Sequence, residues 1–251
     1  MAANLYDAIV VGARCAGSPT AMLLARKNYK VLVVDRATFP SDTLSTHLVH
    51  PPGVAALQRW GLLERLIATG CPPIDTYSFD FGPFTLSGSP GSDAAPVAYG
   101  PRRTVLDAML VDAASEAGAE VREGFTVDDV VIEDGRVTGV RGHGKGGRNV
   151  DAELCATALD ETFSAVRSFD VAMAGYQTAR DTHVLPMYEF TCGLATLAPP
   201  PPELQRLLAA AHGNQEAMDG FARVNAGVTS PADFLSEENA ARIIAAAEAR
   251  Q

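Results

Sequence analysis

The feature that most constrains the fold is a strand–loop–helix–strand pattern at the start of the sequence. Residues 6–12, "YDAIVVG", form a short apolar run rich in β-branched residues that ends in glycine, as is typical of a buried strand. Residues 17–29, "GSPTAMLLARKNY", place apolar side chains at helical spacing, and residues 30–36, "KVLVVDR", predict a second buried strand. Together they predict a βαβ unit, and therefore an α/β fold with a parallel sheet.

The loop of this unit resembles a phosphate-binding glycine fingerprint. Such a fingerprint works because a tight turn directs backbone N–H groups and a helix N-terminus at a pyrophosphate. Arg14 stands in place of the middle glycine of GxGxxG, so the backbone loses its closest approach there while the site gains a positive charge. The residues of the loop are Gly12, Ala13, Arg14, Cys15, Ala16 and Gly17.

An acidic residue after the second strand supports this interpretation. Asp35 lies 18 residues after Gly17, where a carboxylate can accept a hydrogen bond from an adenosine ribose hydroxyl. An acid at this point favours a ribose without a phosphate. The alternative is an ordinary glycine turn followed by a surface aspartate. Cys15 is interpreted as a small packing residue, because no second cysteine is close to it in sequence.

Further elements follow this unit. A helix is predicted over residues 54–70, and the Pro-, Gly- and Ser-rich residues 71–100 predict one or two strands with loops. A second helix is predicted over residues 103–118, with Gly118 as its C-terminal stop. Residues 119–123 predict a third strand of the parallel sheet.

The character of the chain changes near residue 150. A hairpin with its turn at Asp134–Gly135 is predicted before this point. From residue 151 the apolar period changes from 2 to 3.6, which predicts helices. We therefore expect a Rossmann-like nucleotide-binding domain over residues 1–150. We expect a mostly helical segment that packs on it over residues 151–251.

Several of these segments together resemble a known family. "YDAIVVGARCAGSPTAMLLAR", "VLVVDR", "FPSDTLSTHLVHPPGVAALQRWGLLERL" and "RRTVLDAML" are similar to the FAD-dependent oxidoreductases of the aromatic-hydroxylase and geranylgeranyl-reductase-like group. The resemblance covers residues 5–150 in order, and residues 151–240 resemble the C-terminal end of the same family. It implies FAD as the cofactor, NAD(P)H as a transient electron donor, a small-molecule substrate, and oxidoreductase or monooxygenase chemistry.

The resemblance also implies roles for individual positions. The glycine loop would bind the FAD pyrophosphate, and Asp35 would bind the adenosine ribose. The other implied contacts are Arg36 beside the adenine, Ser45 and Thr46 within residues 43–47 along the ribityl chain, Arg103 at the phosphates or ribityl chain, and the backbone near Val127 at the adenine.

The sequence lacks segments that the family has. The family continues from its hairpin into an Ala-Asp-Gly turn, a substrate-binding sheet and a Gly-Asp loop that holds the flavin, and none of these occurs here. We interpret Val150/Asp151 as an internal deletion junction, and no catalytic residue is assigned. The alternatives are a non-catalytic nucleotide-binding or interaction module and a non-functional fragment. An open sheet edge would also favour a homo-oligomer.

Composition limits the classes of partner. A formal net charge of -10 and a pI of about 4.9 argue against nucleic acid or an anionic membrane. No apolar run approaches the ~20 residues of a membrane span, and the start of the chain lacks the basic region of a signal peptide. Four separated cysteines without a CxxC motif favour the reducing cytoplasm. His47 and His50 have no third ligand nearby, so no metal site is expected.

Overall fold

The fold is described from a computed structural model, which covers residues 6–133, 136–143, 166–195 and 199–250. Its strands are β1 (Ala8–Val11), β2 (Val31–Val34), β3 (Pro73–Ile74), β4 (Tyr77–Asp80), β5 (Thr85–Gly88), β6 (Ala98–Tyr99), β7 (Glu120–Arg122), β8 (Thr126–Glu133) and β9 (Arg136–His143). Its helices are α1 (Gly17–Ala25), α2 (Pro51–Arg59), α3 (Leu63–Ile67), α4 (Arg103–Glu116), α5 (Phe169–Ala195), α6 (Pro202–Ala211), α7 (Gln215–Asn225), α8 (Pro231–Phe234) and α9 (Glu237–Glu248).

The chain divides into two compact units, each built from two segments. The first unit comprises Met1–Thr46 and Arg102–Asp181, and the second comprises His47–Pro101 and Thr182–Gln251. The boundary predicted at residue 150 lies outside the described residues, and that division stays a prediction. The predicted hairpin turn at Asp134–Gly135 and the helix predicted to begin at residue 151 also lie outside them.

The first unit contains the predicted parallel sheet. Its strand order is β1-β2-β7, with Ala8 opposite Val31 and Leu32 opposite Glu120. β2 is buried along its whole length because it is the central strand of this sheet. Within the described residues β1 and β7 each pair on one side only. The helices α1 and α4 pack against each other, and α1 also contacts β1 and β2. The α/β class and the three parallel strands are thus confirmed.

The second unit has short antiparallel strand pairs and an apolar core. β3 pairs with β6, and β4 pairs with β5, so residues 71–100 hold more strands than the one or two predicted. The helix α7 packs on β5, and its Asn214 cap accepts a hydrogen bond from the Ala217 N–H. The buried cluster consists of Leu86, Leu207, Leu208, Ala211, Ala217, Phe221, Val224, Phe234 and Ile243.

Two helical segments depart from the sequence-based prediction. The single helix predicted over residues 54–70 is wrong, because the structure has α2 and α3 with a break at Trp60–Leu62. Gly61 has a φ of 75° there, a left-handed conformation that ends a helix. The helix α2 also starts earlier than predicted, since Pro51 occupies its first turn. Among the described residues, no helix is both long and apolar enough to traverse a bilayer.

Candidate functional site

The glycine loop joins β1 to α1. Its two ends lie so close together that only glycine fits at position 17. Gly12 has a φ of 104°, and its N–H donates to the Val34 carbonyl at 2.7 Å. A Cβ placed on Gly17 would lie 1.6 Å from the Gly12 carbonyl oxygen and 3.1 Å from Val10 Cγ1. The start of α1 therefore lies directly against the end of β1, which is the packing that a dinucleotide-binding βαβ unit requires.

Asp35 lies against this loop at the carboxyl end of β2. Its side chain is buried, with 4% of the residue exposed. Its Oδ2 accepts a hydrogen bond from the Ala13 N–H at 2.7 Å, and its Oδ1 accepts from the Ala37 N–H at 2.7 Å. A carboxylate offers about four acceptor positions, so these two bonds leave acceptor capacity for a ribose hydroxyl. The backbone of Asp35 is fixed as well, because its carbonyl accepts from the Phe125 N–H at 2.8 Å.

Arg14 extends away from the loop toward α4 and the segment after β2. Its Nη1 donates to Oδ2 of Asp107, and its Nη2 donates to Ser41 Oγ at 3.1 Å. The guanidinium also lies over the Phe39 ring, 5.3 Å from the ring centroid. The Asp107 side chain is fully buried and the Arg14 side chain is 14% exposed. The residue that replaces the middle glycine is therefore held by a buried carboxylate.

Arg103 shares that carboxylate. It is the first residue of α4, and its Nε donates to Asp107 Oδ1 at 3.0 Å. Its side chain is 12% exposed; Nη2 lies 2.9 Å from the same oxygen but is buried without a hydrogen-bond acceptor. Its neighbour Arg102 instead pairs with Asp42 and has a side chain that is 67% exposed. Two largely buried guanidinium groups thus face one carboxylate, which leaves one unmatched positive charge.

Asp107 was not identified from the sequence. The spacing of four residues from Arg103 on a helix is the signal that pairs these two side chains. No comparable local signal exists for Arg14, because 93 residues separate it from Asp107.

Cys15 also contacts this carboxylate. Its Sγ lies 3.3 Å from Asp107 Oδ1, with the thiol as donor. Burial, and next the negative charge of Asp107, raise the pKa of the Cys15 thiol to about 12. The thiol is therefore protonated and unreactive near neutral pH, as expected of a packing residue.

The remaining predicted positions lie in the same unit. The Ala16 carbonyl accepts from Thr20 Oγ1 at 2.9 Å, and Ser18 Oγ donates to the Ala13 carbonyl at 2.7 Å. Arg36 is exposed directly after Asp35. Ser45 and Thr46 lie in the irregular segment before α2, and the half-buried Val127 in β8 pairs with Gly142. Hydrogen bonds connect the glycine loop to Asp35, and through Arg14 and Asp107 to Arg103.

The two histidines, His47 and His50, were considered as possible metal ligands. His50 Nδ1 is 2.8 Å from Tyr77 Oη, and burial lowers the pKa of His50. Across the described part of the chain, no three His, Cys, Asp or Glu side chains are grouped so that they could hold a metal ion.

The residues of this site fit FAD. The close β1–α1 junction leaves no room for a side chain at Gly17, and the buried Nη2 of Arg103 lacks an acceptor that an anionic ligand would supply. Asp35 retains acceptor capacity for a ribose, and the unmatched positive charge suits a diphosphate. These are the features that the ADP half of FAD would use.

Comparison with known proteins points the same way. The family described as "FAD binding domain" matches residues 5–230. Protein FixC of Salmonella typhi is 34% identical over 157 residues, covering 57% of this chain and 35% of that protein. Squalene monooxygenase of Eremothecium gossypii is 44% identical over 62 residues, covering 25% of this chain and 12% of that protein. The matched part of this chain thus spans about a third of the length of FixC and a smaller share of the squalene monooxygenase.

Solved structures share this fold. The myxobacterial chondrochloren halogenase CndH, an FAD-dependent halogenase, is 27% identical with a TM-score of 0.52. The match covers 58% of this chain and 34% of that one. The flavin-dependent brominase Bmp2, in its triple-mutant structure, is 21% identical with a TM-score of 0.50, covering 59% of this chain and 37% of that one, and shows likeness of fold alone.

Proposed function

We propose that this chain, which belongs to the FAD-dependent oxidoreductase and monooxygenase family, holds FAD mainly through the ADP half of the cofactor. The observation that carries the proposal is the hydrogen-bond network from Asp35 through the glycine loop to Asp107 and Arg103. The family resemblance assigns the loop, Asp35 and Arg103 to the ribose and the phosphates, which supports the proposal.

Each group in this network has a distinct task. The N–H groups of the loop and the N-terminus of α1 would face the pyrophosphate, and Arg103 would add a positive charge to it. Asp35 would accept from the adenosine ribose. The other positions are proposed from the family resemblance: Arg36 and the backbone near Val127 at the adenine, and Ser45 and Thr46 along the ribityl chain.

The flavin ring is held less completely in this proposal. When bound, FAD supplies hydride acceptance from a nicotinamide and electron delivery to oxygen or a substrate. This sequence has no counterpart of the Gly-Asp loop or the substrate sheet, and the chain covers 35% of its FixC relatives. We therefore propose an internal truncation at Val150/Asp151 that leaves the ring open to water and removes the substrate pocket. An open site protects reactive species poorly.

A second function is favoured by the same network. The groups that it contains all address the ADP half, so a non-catalytic nucleotide-binding module is the alternative to an impaired oxidoreductase. Within the described residues β1 and β7 are the edge strands of the parallel sheet, and such edges would allow a homo-oligomer to form in either case.

The experiment that separates these functions starts from the protein loaded with FAD. After gel filtration, its absorbance spectrum shows whether the flavin stays bound. Consumption of NAD(P)H, release of hydrogen peroxide and product formation are then followed with phenols and polyprenyl substrates. We expect slow NAD(P)H oxidation at most, with peroxide and no oxygenated product. Coupled turnover at about 1 s⁻¹ or faster, an ordinary enzyme rate, would contradict the proposed loss of the pocket.

A further inference from the structure

Arg14, Asp107 and Arg103 form a specific bonded arrangement in addition to supplying positive charge. Each carboxylate oxygen of Asp107 is used by a different guanidinium, since Oδ2 accepts from Arg14 and Oδ1 accepts from Arg103. The Asp107 side chain is fully buried, so water does not compete for these bonds. Asp107 thus fixes the distance between two cationic side chains from different elements.

The two arginines differ in what remains for a ligand. Arg14 is engaged on several sides, because it also donates to Ser41 Oγ at 3.1 Å and lies over the Phe39 ring. The buried Nη2 of Arg103 lies 2.9 Å from Asp107 Oδ1 in an ion pair, but it donates no hydrogen bond of good geometry. A buried donor without a partner is unfavourable, so a ligand oxygen that accepted from Arg103 would be favoured. Arg103 is therefore the group that would contact the ligand, and the others set its place.

We propose that Arg14 and Asp107 are positioning residues that hold Arg103 for the pyrophosphate of the cofactor. This inference rests on the proposed function and adds to it the task of the arginine that replaces the middle glycine. In this arrangement the side chain of Arg14 is drawn toward Asp107 and Ser41 instead of lying across the loop. The N–H groups of the loop stay available to the same phosphates, and the cluster carries a net charge of one when all three groups are ionised.

Arg14→Lys tests this inference with the net charge unchanged. Lysine has no planar fork, so it cannot bridge Asp107 and Ser41 as Arg14 does. Binding of ADP and adenosine is measured by calorimetry and ligand-observed NMR. We expect about tenfold weaker ADP binding, the loss of about one charged hydrogen bond, and an adenosine affinity within about twofold of the wild type. Arg26→Lys, an exposed change at the end of α1, is the matched control.

Asp107→Asn separates positioning from simple charge attraction. The change removes one negative charge, so attraction alone predicts tighter ADP binding, whereas positioning predicts binding that is about tenfold weaker or worse. Asp112→Asn on the exposed side of the same helix makes the same change in charge away from the cluster. Circular dichroism shows whether each variant is folded. If the Asp107→Asn variant is unfolded, the Arg14→Lys result alone tests the positioning role.

The outcomes distinguish this inference from the function on which it rests. Wild-type ADP binding that Arg14→Lys leaves unchanged, or an equal loss of ADP and adenosine binding, overturns the positioning role and leaves the proposed function standing. Tighter ADP binding by a folded Asp107→Asn variant also overturns it. A wild type that binds neither ADP nor FAD removes the proposed function and this inference together.

Discussion

The backbone N–H of Ala13 donates a 2.7 Å hydrogen bond to Oδ2 of Asp35, which lies 22 residues further along the chain. The carboxylate that follows β2 is therefore hydrogen-bonded to the loop that follows β1. A change at Asp35 would therefore remove the proposed ribose contact and also loosen the loop proposed to hold the phosphates.

Asp35→Ala should weaken ADP and adenosine binding alike. Both ligands carry the ribose, and loss of a charged hydrogen bond costs about 1–3 kcal/mol. Titration calorimetry measures the effect, with Asp112→Ala as an exposed control of the same charge change. Equal affinities in Asp35→Ala and the wild type would remove Asp35 from the site.

Arg103→Ala should weaken ADP binding and leave adenosine binding nearly unchanged, because its contact would be with phosphate. We expect a loss of about 1.5–3 kcal/mol for ADP. Arg102→Ala is the matched control, since Arg102 is exposed and pairs with Asp42. A larger loss for Arg102→Ala than for Arg103→Ala would reverse the assignment of the two neighbours.

Gly17→Ala should destabilise the first unit. The added Cβ would lie 1.6 Å from the Gly12 carbonyl oxygen, so backbone must move, and we expect the free energy of unfolding to fall by about 3 kcal/mol or more. Urea unfolding measures this loss. Gly139→Ala in β9 is the control, because a Cβ there meets no heavy atom within 4 Å. Comparable stability of the two variants would contradict the close β1–α1 junction.

Cys15 should be alkylated more slowly than Cys192. The pKa of the Cys15 thiol is raised to about 12, chiefly by burial and then by Asp107, so the reactive thiolate stays scarce up to about pH 10. Cys192 is exposed in α5 and serves as the internal reference. Iodoacetamide labelling from pH 7 to pH 10, followed by peptide mass spectrometry, gives both rates. Faster labelling at Cys15 at pH 8 would show that its thiol is not held protonated.

Local pattern was enough to predict the βαβ unit. The spacing of apolar residues and glycines fixes β1, α1, β2 and the place of Asp35 within one short stretch. The break between α2 and α3 was missed, because an isolated glycine such as Gly61 is tolerated in many helices and only its left-handed φ ends this one. The extra strands in residues 71–100 are two to four residues long, too short for a clear period.

The charge cluster shows the limit of local reasoning. Arg103 was expected in the site, but its Asp107 partner and the link to Arg14 depend on the packing of α1 against α4. A contact between residues 93 positions apart is set by tertiary structure, and no sequence spacing encodes it. Arg14 was identified as an added charge in the loop, yet the direction of its side chain followed only from the fold.

The account is tested most directly by titrating one preparation of the wild-type protein with ADP and with FAD. Because the ADP half carries the proposed contacts, both dissociation constants should agree within about tenfold, or about 1.4 kcal/mol. FAD binding about a thousandfold tighter than ADP, or about 4 kcal/mol, would show that the chain also encloses the flavin ring. That result, or the absence of binding by both ligands, would contradict the central claim.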